Sequence, residues 1–186
     1  MHNYKFSLIT PTHSVTYLKE LYDSIKDQTY TNWEWILFLN NGIKKSDLPK
    51  TIIKDTRVII SVKQDSNSGD GLGTLLGERV GYLKGLAFRK GTGDILVEVD
   101  HDDMLTPDCL EELNKAFQDE EVGFAYSDNA KLKEDFVPYN PQNGWTYNKI
   151  KWKNKKLYSM DSFKPSSQSL SFIWYCPDHV RAWRKS

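Results

Sequence analysis

Asp100, Asp102 and Asp103 place three carboxylates, with the His101 imidazole among them, within four consecutive positions. Like charges this close raise one another's pKa, so the arrangement is at ease only with a cation nearby. A hard divalent ion, Mg²⁺ or Mn²⁺, takes oxygen ligands of this kind and would itself hold a diphosphate. The competing reading is a solvated acidic loop whose carboxylates favour the N-terminal end of a following helix.

The flanking residues say where this cluster sits. Upstream, Gly93-Asp94 opens into Ile95-Leu96-Val97-Glu98-Val99, a short and largely apolar run that predicts a buried strand. Downstream, Thr106-Pro107-Asp108 predicts a helix with Thr106 as N-cap and Pro107 at the first helical position, burying Leu110, Leu113 and Phe117. The cluster therefore falls in a tight loop at a strand's carboxyl end. That is where open α/β sheets bind ligands.

Other segments repeat the pattern. Phe6 to Thr10 reads as a strand stopped by Pro11, and a helix follows from Ser14 with Val15, Leu18, Leu21, Tyr22 and Ile25 on one face. Trp33 to Leu39 is nearly all apolar, as a strand covered on both faces must be, and ends at the turn Asn40-Asn41-Gly42. Arg57 to Val62 is a third strand. A helix with Leu76, Val80, Leu83 and Ala87 inward precedes the Gly93 strand. Alternation of this kind predicts an α/β fold: a doubly wound, mostly parallel, Rossmann-like sheet with right-handed crossovers. Val122 to Tyr126 reads as a further strand ending at Ser127-Asp128. Residues 131–168 show no clean period and predict long loops with short edge strands, and Leu170 to Tyr175 reads as a last strand.

Composition narrows the partners. The chain has 186 residues, enough for one domain with a real core, and its 25 basic and 25 acidic side chains balance. No global field favours nucleic acid or an anionic membrane. Lys149, Lys151, Lys153, Lys155 and Lys156 do cluster around Trp152, a stretch that could touch phosphates or sugars or serve as a solvated edge. Six tryptophans within 13% aromatic content exceed what a core needs, leaving rings to line a site. Cys109 and Cys176 have no metal or redox spacing and read as reduced thiols. Without a secretory pattern or an apolar run of the ~18 residues a span needs, a soluble, cytoplasmic protein is expected.

In a parallel sheet the loops at Pro11-Thr12-His13, Asn40-Asn41-Gly42, the segment before Lys84 and Asp100 to Asp103 share one edge, so residues distant in sequence converge on one crevice. Gly71-Leu72-Gly73-Thr74-Leu75-Leu76-Gly77 has a dinucleotide flavour, but it follows a polar loop and its last glycine is one position late. Lys84 stands beside the inward-facing Leu83, where a helix lysine is ordinarily solvated. His179 follows a strand near Pro177-Asp178; it could complete a carboxylate site for Mn²⁺ or be a hydrogen-bonded structural histidine.

Taken together, these residues resemble glycosyltransferase family 2, the inverting nucleotide-sugar transferases of GT-A fold. Leu8 to His13 resembles the family's opening strand with its base-binding Pro-Thr-Tyr. Gln28 to Glu34 resembles the stretch before its second strand. Ala87, Gly93 to Leu96 and Asp100-His101-Asp102-Asp103 resemble its Ala-x-Gly-Glu-Tyr-Ile and Asp-x-Asp-Asp segments. The resemblance covers residues 5–128, the nucleotide- and metal-binding part, and leaves 129–186 to the acceptor side. It implies that Pro11, Thr12 and His13 border the nucleobase and that Asn41 replaces a base-contacting Asp. It places Lys84 near the nucleotide, Asp100 with its neighbour His101 at the ribose or metal, and Asp102 on the metal. The implied donor is a nucleotide sugar, UDP-linked, with Mn²⁺ or Mg²⁺; the acceptor is a saccharide or other hydroxyl.

Two departures accompany it. Asn40-Asn41 replaces the usual Asp-Asp, and an amide pairs with uracil but also with other bases. The family also continues past a segment like His179 to Trp183 to a Gly-Gly turn and a Glu-Asp pair whose Asp is the general base. The sequence here ends at Ser186, so the expectation is a member truncated after its donor-binding half, with Asp128 or Asp178 substituting as base. Two alternatives stand beside this: a non-catalytic or merely hydrolytic nucleotide-sugar module, acting as a homodimer, and an NAD(P) oxidoreductase built on the Gly71 to Gly77 loop.

Overall fold

The structure is a computed structural model that describes residues 1–62, 76–172, 177–178 and 180–185. Strands β1 (Phe6–Thr12), β2 (Trp33–Leu39), β3 (Val58–Val62), β4 (Ile95–Glu98), β5 (Phe124–Tyr126) and β8 (Arg181–Arg184) form one six-stranded sheet, ordered β3-β2-β1-β4-β8-β5. The first four are mutually parallel; β8 is antiparallel to both β4 and β5, so β5 again runs with the majority. Strands β6 (Tyr147–Trp152) and β7 (Lys155–Met160) pair as a separate hairpin.

Every residue of β2 is buried, Glu34 included, as its nearly all-apolar run requires. Its alternate side chains serve two cores. Trp33, Trp35, Leu37 and Leu39 face the larger one, shared with helices α1 (Leu18–Lys26), α2 (Lys50–Lys54) and α4 (Cys109–Ala116). Ile36 and Phe38 face the other, with Ile9 and with Leu83 and Ala87 of α3 (Leu76–Phe88). Helices thus cover both faces, and the expected doubly wound architecture is present. The side chains of Leu76 and Val80 lie outside the described residues.

Several boundaries differ from expectation. Helix α1 begins at Leu18 rather than Ser14, leaving Val15 38% exposed instead of inward. Strand β3 starts at Val58 and β5 at Phe124, each later than expected. Helix α4 starts at Cys109, not behind a Thr106 cap: Cys109 N bonds Thr106 O at 3.1 Å in a preceding turn, Leu110 N donates to Gln28 Oε1 instead of to Thr106 O, and the Pro107 carbonyl accepts from the Thr29 amide. The larger correction concerns Leu170. Residues expected in a last strand instead belong to helix α5 (Ser167–Phe172), which the Ser166 and Ser169 hydroxyls start by each accepting the other's backbone N–H. The rest of that expected strand, 173–175, lies outside the described residues. The last strand is β8, and the expected edge strands of 131–168 are the β6–β7 hairpin, turned at Lys153 and Asn154, both at positive φ.

At the amino ends of the strands, Gly93 passes so close to β1 that a Cβ there would lie 2.5 Å from the Lys5 carbonyl oxygen. Glu34 is buried beside it. Its carboxylate accepts from Lys5 Nζ at 2.6 Å, Ser7 Oγ at 2.6 Å and the Thr92 amide at 2.6 Å. Burial pushes the Glu34 pKa up, but the bonds from Lys5, Ser7 and Thr92 outweigh it and bring the pKa down to about 2. A carboxyl depressed in the folded state stabilises fully above its ordinary value of 4.5 and loses that contribution as pH falls towards about 2. Urea titrations stepped from pH 6 to pH 2 are therefore expected to show stability falling through this window. Asp55, held down to about 2 chiefly by Arg57, adds to the fall. The Glu34→Gln variant starts weaker and falls less steeply; an identical slope would refute the assignment.

Candidate functional site

The carboxyl ends of β1, β2 and β4 meet at one edge. Beyond the strands, Asn40 N donates to Thr12 O at 3.0 Å and Val99 N to Ile9 O at 3.1 Å, so the three exits are tied together. Thr12 is buried, and its hydroxyl bonds with Ser14 to shape the turn that presents His13. His13 is exposed, and its ring lies edge-on to that of His101, centroids 4.7 Å apart. Asn41 sits at φ 55° in the neighbouring turn, a left-handed position asparagine tolerates, with its side chain exposed. The structure thus brings Pro11, Thr12, His13, Asn41 and His101 to the edge that the sequence implied.

Lys84 departs from the solvated reading. From α3 its ammonium reaches over the sheet, bonding Glu98 and lying 3.1 Å from Asp100 Oδ1, with only 21% of the side chain exposed. Burial pulls its pKa down, yet the hydrogen bond to Glu98 and the charges of Asp100 and Glu98 outweigh that and hold it above the ordinary lysine value. Glu98, 5% exposed, also accepts from Arg181 Nη2 at 2.8 Å. One buried carboxylate thereby joins α3, β4 and β8 and sets Lys84 against Asp100. Glu98 had no place in the sequence-based site.

The acidic loop is braced from behind. Asp103 N donates to Asp100 O at 3.2 Å, closing the turn. Gln28, itself 5% exposed, donates to Thr106 O and accepts from Leu110 N at 3.0 Å, while Ser24 Oγ accepts from Leu105 N at 3.1 Å. Ser24 of α1 and Gln28 just past its end therefore fix the loop's exit. Within it, Asp102 is 56% exposed, with Oδ1 3.8 Å from His101 Nδ1. Among the described residues no three His, Cys, Asp or Glu side chains gather into a metal cage. The donor set instead suits a cation carried mainly by a diphosphate, since such ions keep one or two protein carboxylates and complete their shell with phosphate oxygens and water. Asp102 and Asp100 are the residues that would hold it.

Strand β5 delivers Asp128 to the same edge, where its Oδ1 accepts from Ser162 N at 2.7 Å. Ser127 N donates to Val180 O at 3.0 Å, and Val180 N to Ser127 Oγ at 3.0 Å, which ties the chain just before β8 to that loop; Asp178 lies two positions before Val180, outside the sheet. His179 lies outside the described residues, as do Cys176 and residues 71–75 of the glycine-rich loop; Gly77 belongs to α3. Cys109 is unbonded, and burial pushes its thiol up to about 12, which removes it as a nucleophile. Among the described residues no helix is long and apolar enough to cross a membrane.

A doubly wound sheet with carboxylates, a partly buried lysine and an amide turn at its carboxyl edge defines an α/β domain whose ligand crevice, by the rule for open sheets, lies at that edge. The chain belongs to glycosyl transferase family 2, whose model matches residues 7–173. No curated protein sequence matches it. Among solved structures, S. aureus TarS 1-349 is 19% identical with a TM-score of 0.54, covering 97% of this chain and 47% of that one. Its complex with UDP-GlcNAc matches at 19% identity and a TM-score of 0.53, over 97% of this chain and 45% of that one. The longer S. aureus TarS structure matches at 19% identity and a TM-score of 0.55, over 97% and 28% respectively. At this identity the likeness carries the GT-A fold, and the chain spans less than half the length of each of these structures.

Proposed function

We propose that the chain is a metal-dependent, inverting glycosyltransferase domain that moves a sugar from a UDP-linked donor to a hydroxyl acceptor. The observation that carries the reading is the Lys84–Asp100 pair beside the exposed Asp102, at the edge where β1 and β2 also end. A family 2 match over residues 7–173 supports it, as does the fold shared with a protein solved with UDP-GlcNAc.

In this reading Pro11, Thr12, His13 and Asn41 border the base, and Asp100 with His101 meets the ribose or the metal. When bound, Mn²⁺ or Mg²⁺ supplies positive charge to the diphosphate. Lys84 adds a fixed ammonium at the same rim, where charge develops as the nucleoside diphosphate departs, and its bond to Glu98 keeps it from reorganising. His179 is a further candidate ligand. Residues 129–186 form the acceptor side, with Asp128 or Asp178 taking the proton of the attacking hydroxyl.

Asp128→Asn keeps the acceptor for the Ser162 amide but lacks a basic carboxylate, and Asp178→Asn is its counterpart. One of the two is expected to lower kcat for sugar transfer about 10²–10⁴-fold, as loss of a general base does. Unchanged turnover in the double variant removes both. The donor assignment is tested by thermal-shift titration with nucleoside diphosphates, nucleotide sugars and NAD(P), each with and without Mn²⁺. UDP compounds with Mn²⁺ are expected to stabilise most. A shift with NAD(P) alone would favour the oxidoreductase, and donor binding without transfer or hydrolysis would favour the non-catalytic module.

A further inference from the structure

Between residues 129 and 166 the chain carries eight lysines against three carboxylates, although its total charge balances. The β6–β7 register sorts these lysines onto faces. Tyr147 pairs with Met160, Lys149 with Tyr158 and Lys151 with Lys156, and paired residues in an antiparallel ladder point the same way. Two tyrosines and three lysines therefore share one face, with successive positions about 6.6 Å apart along each strand. The opposite face holds Ile150 and Leu157, and Leu157 is buried.

The shared face opens into a shallow groove where Tyr139, Asn140, Gln142 and Lys131 join Tyr147 and Tyr158, over a floor of buried Met160. Aromatic faces beside carboxamides and phenol hydroxyls suit pyranose chains, which offer C–H faces and hydroxyls that both donate and accept. Past the groove, Lys151 and Lys156 stand directly opposite each other, a like-charge pair that weakens the hairpin. Lys149, Lys151 and Lys156 are exposed and have no carboxylate partner among the described residues. An anion laid across them would relieve the repulsion. The hairpin is also tied to the edge of the main sheet: Met160 and Asn129 exchange backbone bonds, and Ser162 bonds both Ser127 and Asp128.

We infer that this face binds an anionic polysaccharide, its rings on Tyr147 and Tyr158 and its phosphate or carboxylate groups on Lys149, Lys151 and Lys156. Calling that polymer the acceptor rests on the transferase reading; its binding does not. A neutral sugar would leave the lysines unanswered, and a bare polyanion would leave the tyrosines unused.

The test measures binding without nucleotide, by calorimetry or biolayer interferometry. The probes are phosphorylated dextran, carboxymethyl-dextran, neutral dextran, inorganic polyphosphate and duplex DNA. One of the two charged dextrans is expected to bind at least about tenfold tighter than neutral dextran or polyphosphate, and which one identifies the anion. Lys151→Gln with Lys156→Gln is expected to weaken it about tenfold or more and flatten its salt dependence. Tyr158→Ala weakens it comparably, and Tyr158→Phe, which keeps the ring, restores most of it. Polyphosphate or DNA binding as tightly as the charged dextrans, with no loss in Tyr158→Ala, would overturn the inference in favour of a plain polyanion or nucleic-acid surface. No binding to any charged dextran would overturn it outright. Asp102→Ala is expected to leave this binding intact, so failure of the donor site and failure of the hairpin face are read separately.

Discussion

Replacing Asp102 by alanine is expected to abolish metal-dependent binding of a nucleoside diphosphate, weakening it at least about 100-fold. Loss of a supporting contact around a metal costs about 10–100-fold, so loss of a ligating carboxylate should cost no less. Asp102 suits the role because it is more than half exposed, while its neighbour Asp100 already faces Lys84. The backbone of the loop is fixed by Gln28 and Ser24, so truncating one outward side chain leaves the fold intact. Calorimetric titration of UDP with Mn²⁺ and with EDTA checks this. The wild-type protein should lose affinity in EDTA, and Asp102→Ala should bind weakly in both. Equal affinity for wild type and variant would remove Asp102 from the site.

Glu98→Ala is expected to destabilise the protein by about 2–3 kcal/mol. Breaking a buried ion pair from one side costs ~3–5 kcal/mol because a charge is left uncompensated. Here Lys84 keeps Asp100, and both cations are about one-fifth exposed, so the lower figure applies. A urea midpoint shift with an unchanged slope would report it. The variant that survives should also bind donor less well, because Lys84 is no longer aimed at the rim. Glu98→Gln keeps an acceptor oxygen and should fall between the two in stability. A variant as stable as wild type would mean that the cations are held by other groups.

The strands that build the edge were legible because β1, β2 and β4 are short, apolar and bounded by turn residues. The acidic loop was legible because its residues are adjacent in sequence. Glu98 was not: its partners Lys84 and Arg181 lie 14 and 83 positions away and reach it only through the fold. A signal was nonetheless present. Glu34 and Glu98 are each the single carboxylate of an apolar strand, and each is buried against a cation. A charged residue in such a run implies a partner arriving from elsewhere in the chain. Strand β8 hid because Arg-Ala-Trp-Arg has too few apolar positions to show a period, and two of its side chains serve as ion-pair and carbonyl donors. Leu170 misled in the opposite sense: an apolar residue beside serines read as a strand, whereas reciprocal serine capping started a helix.

Crystals grown with UDP and Mn²⁺, with the manganese located by its anomalous scattering, test the central claim most directly. The account predicts one strong peak within about 2.2 Å of an Asp102 carboxylate oxygen, bridging to the diphosphate, with the base against Pro11, Thr12 and Asn41. A peak away from the loop after β4, or UDP bound at another edge of the sheet, would contradict it.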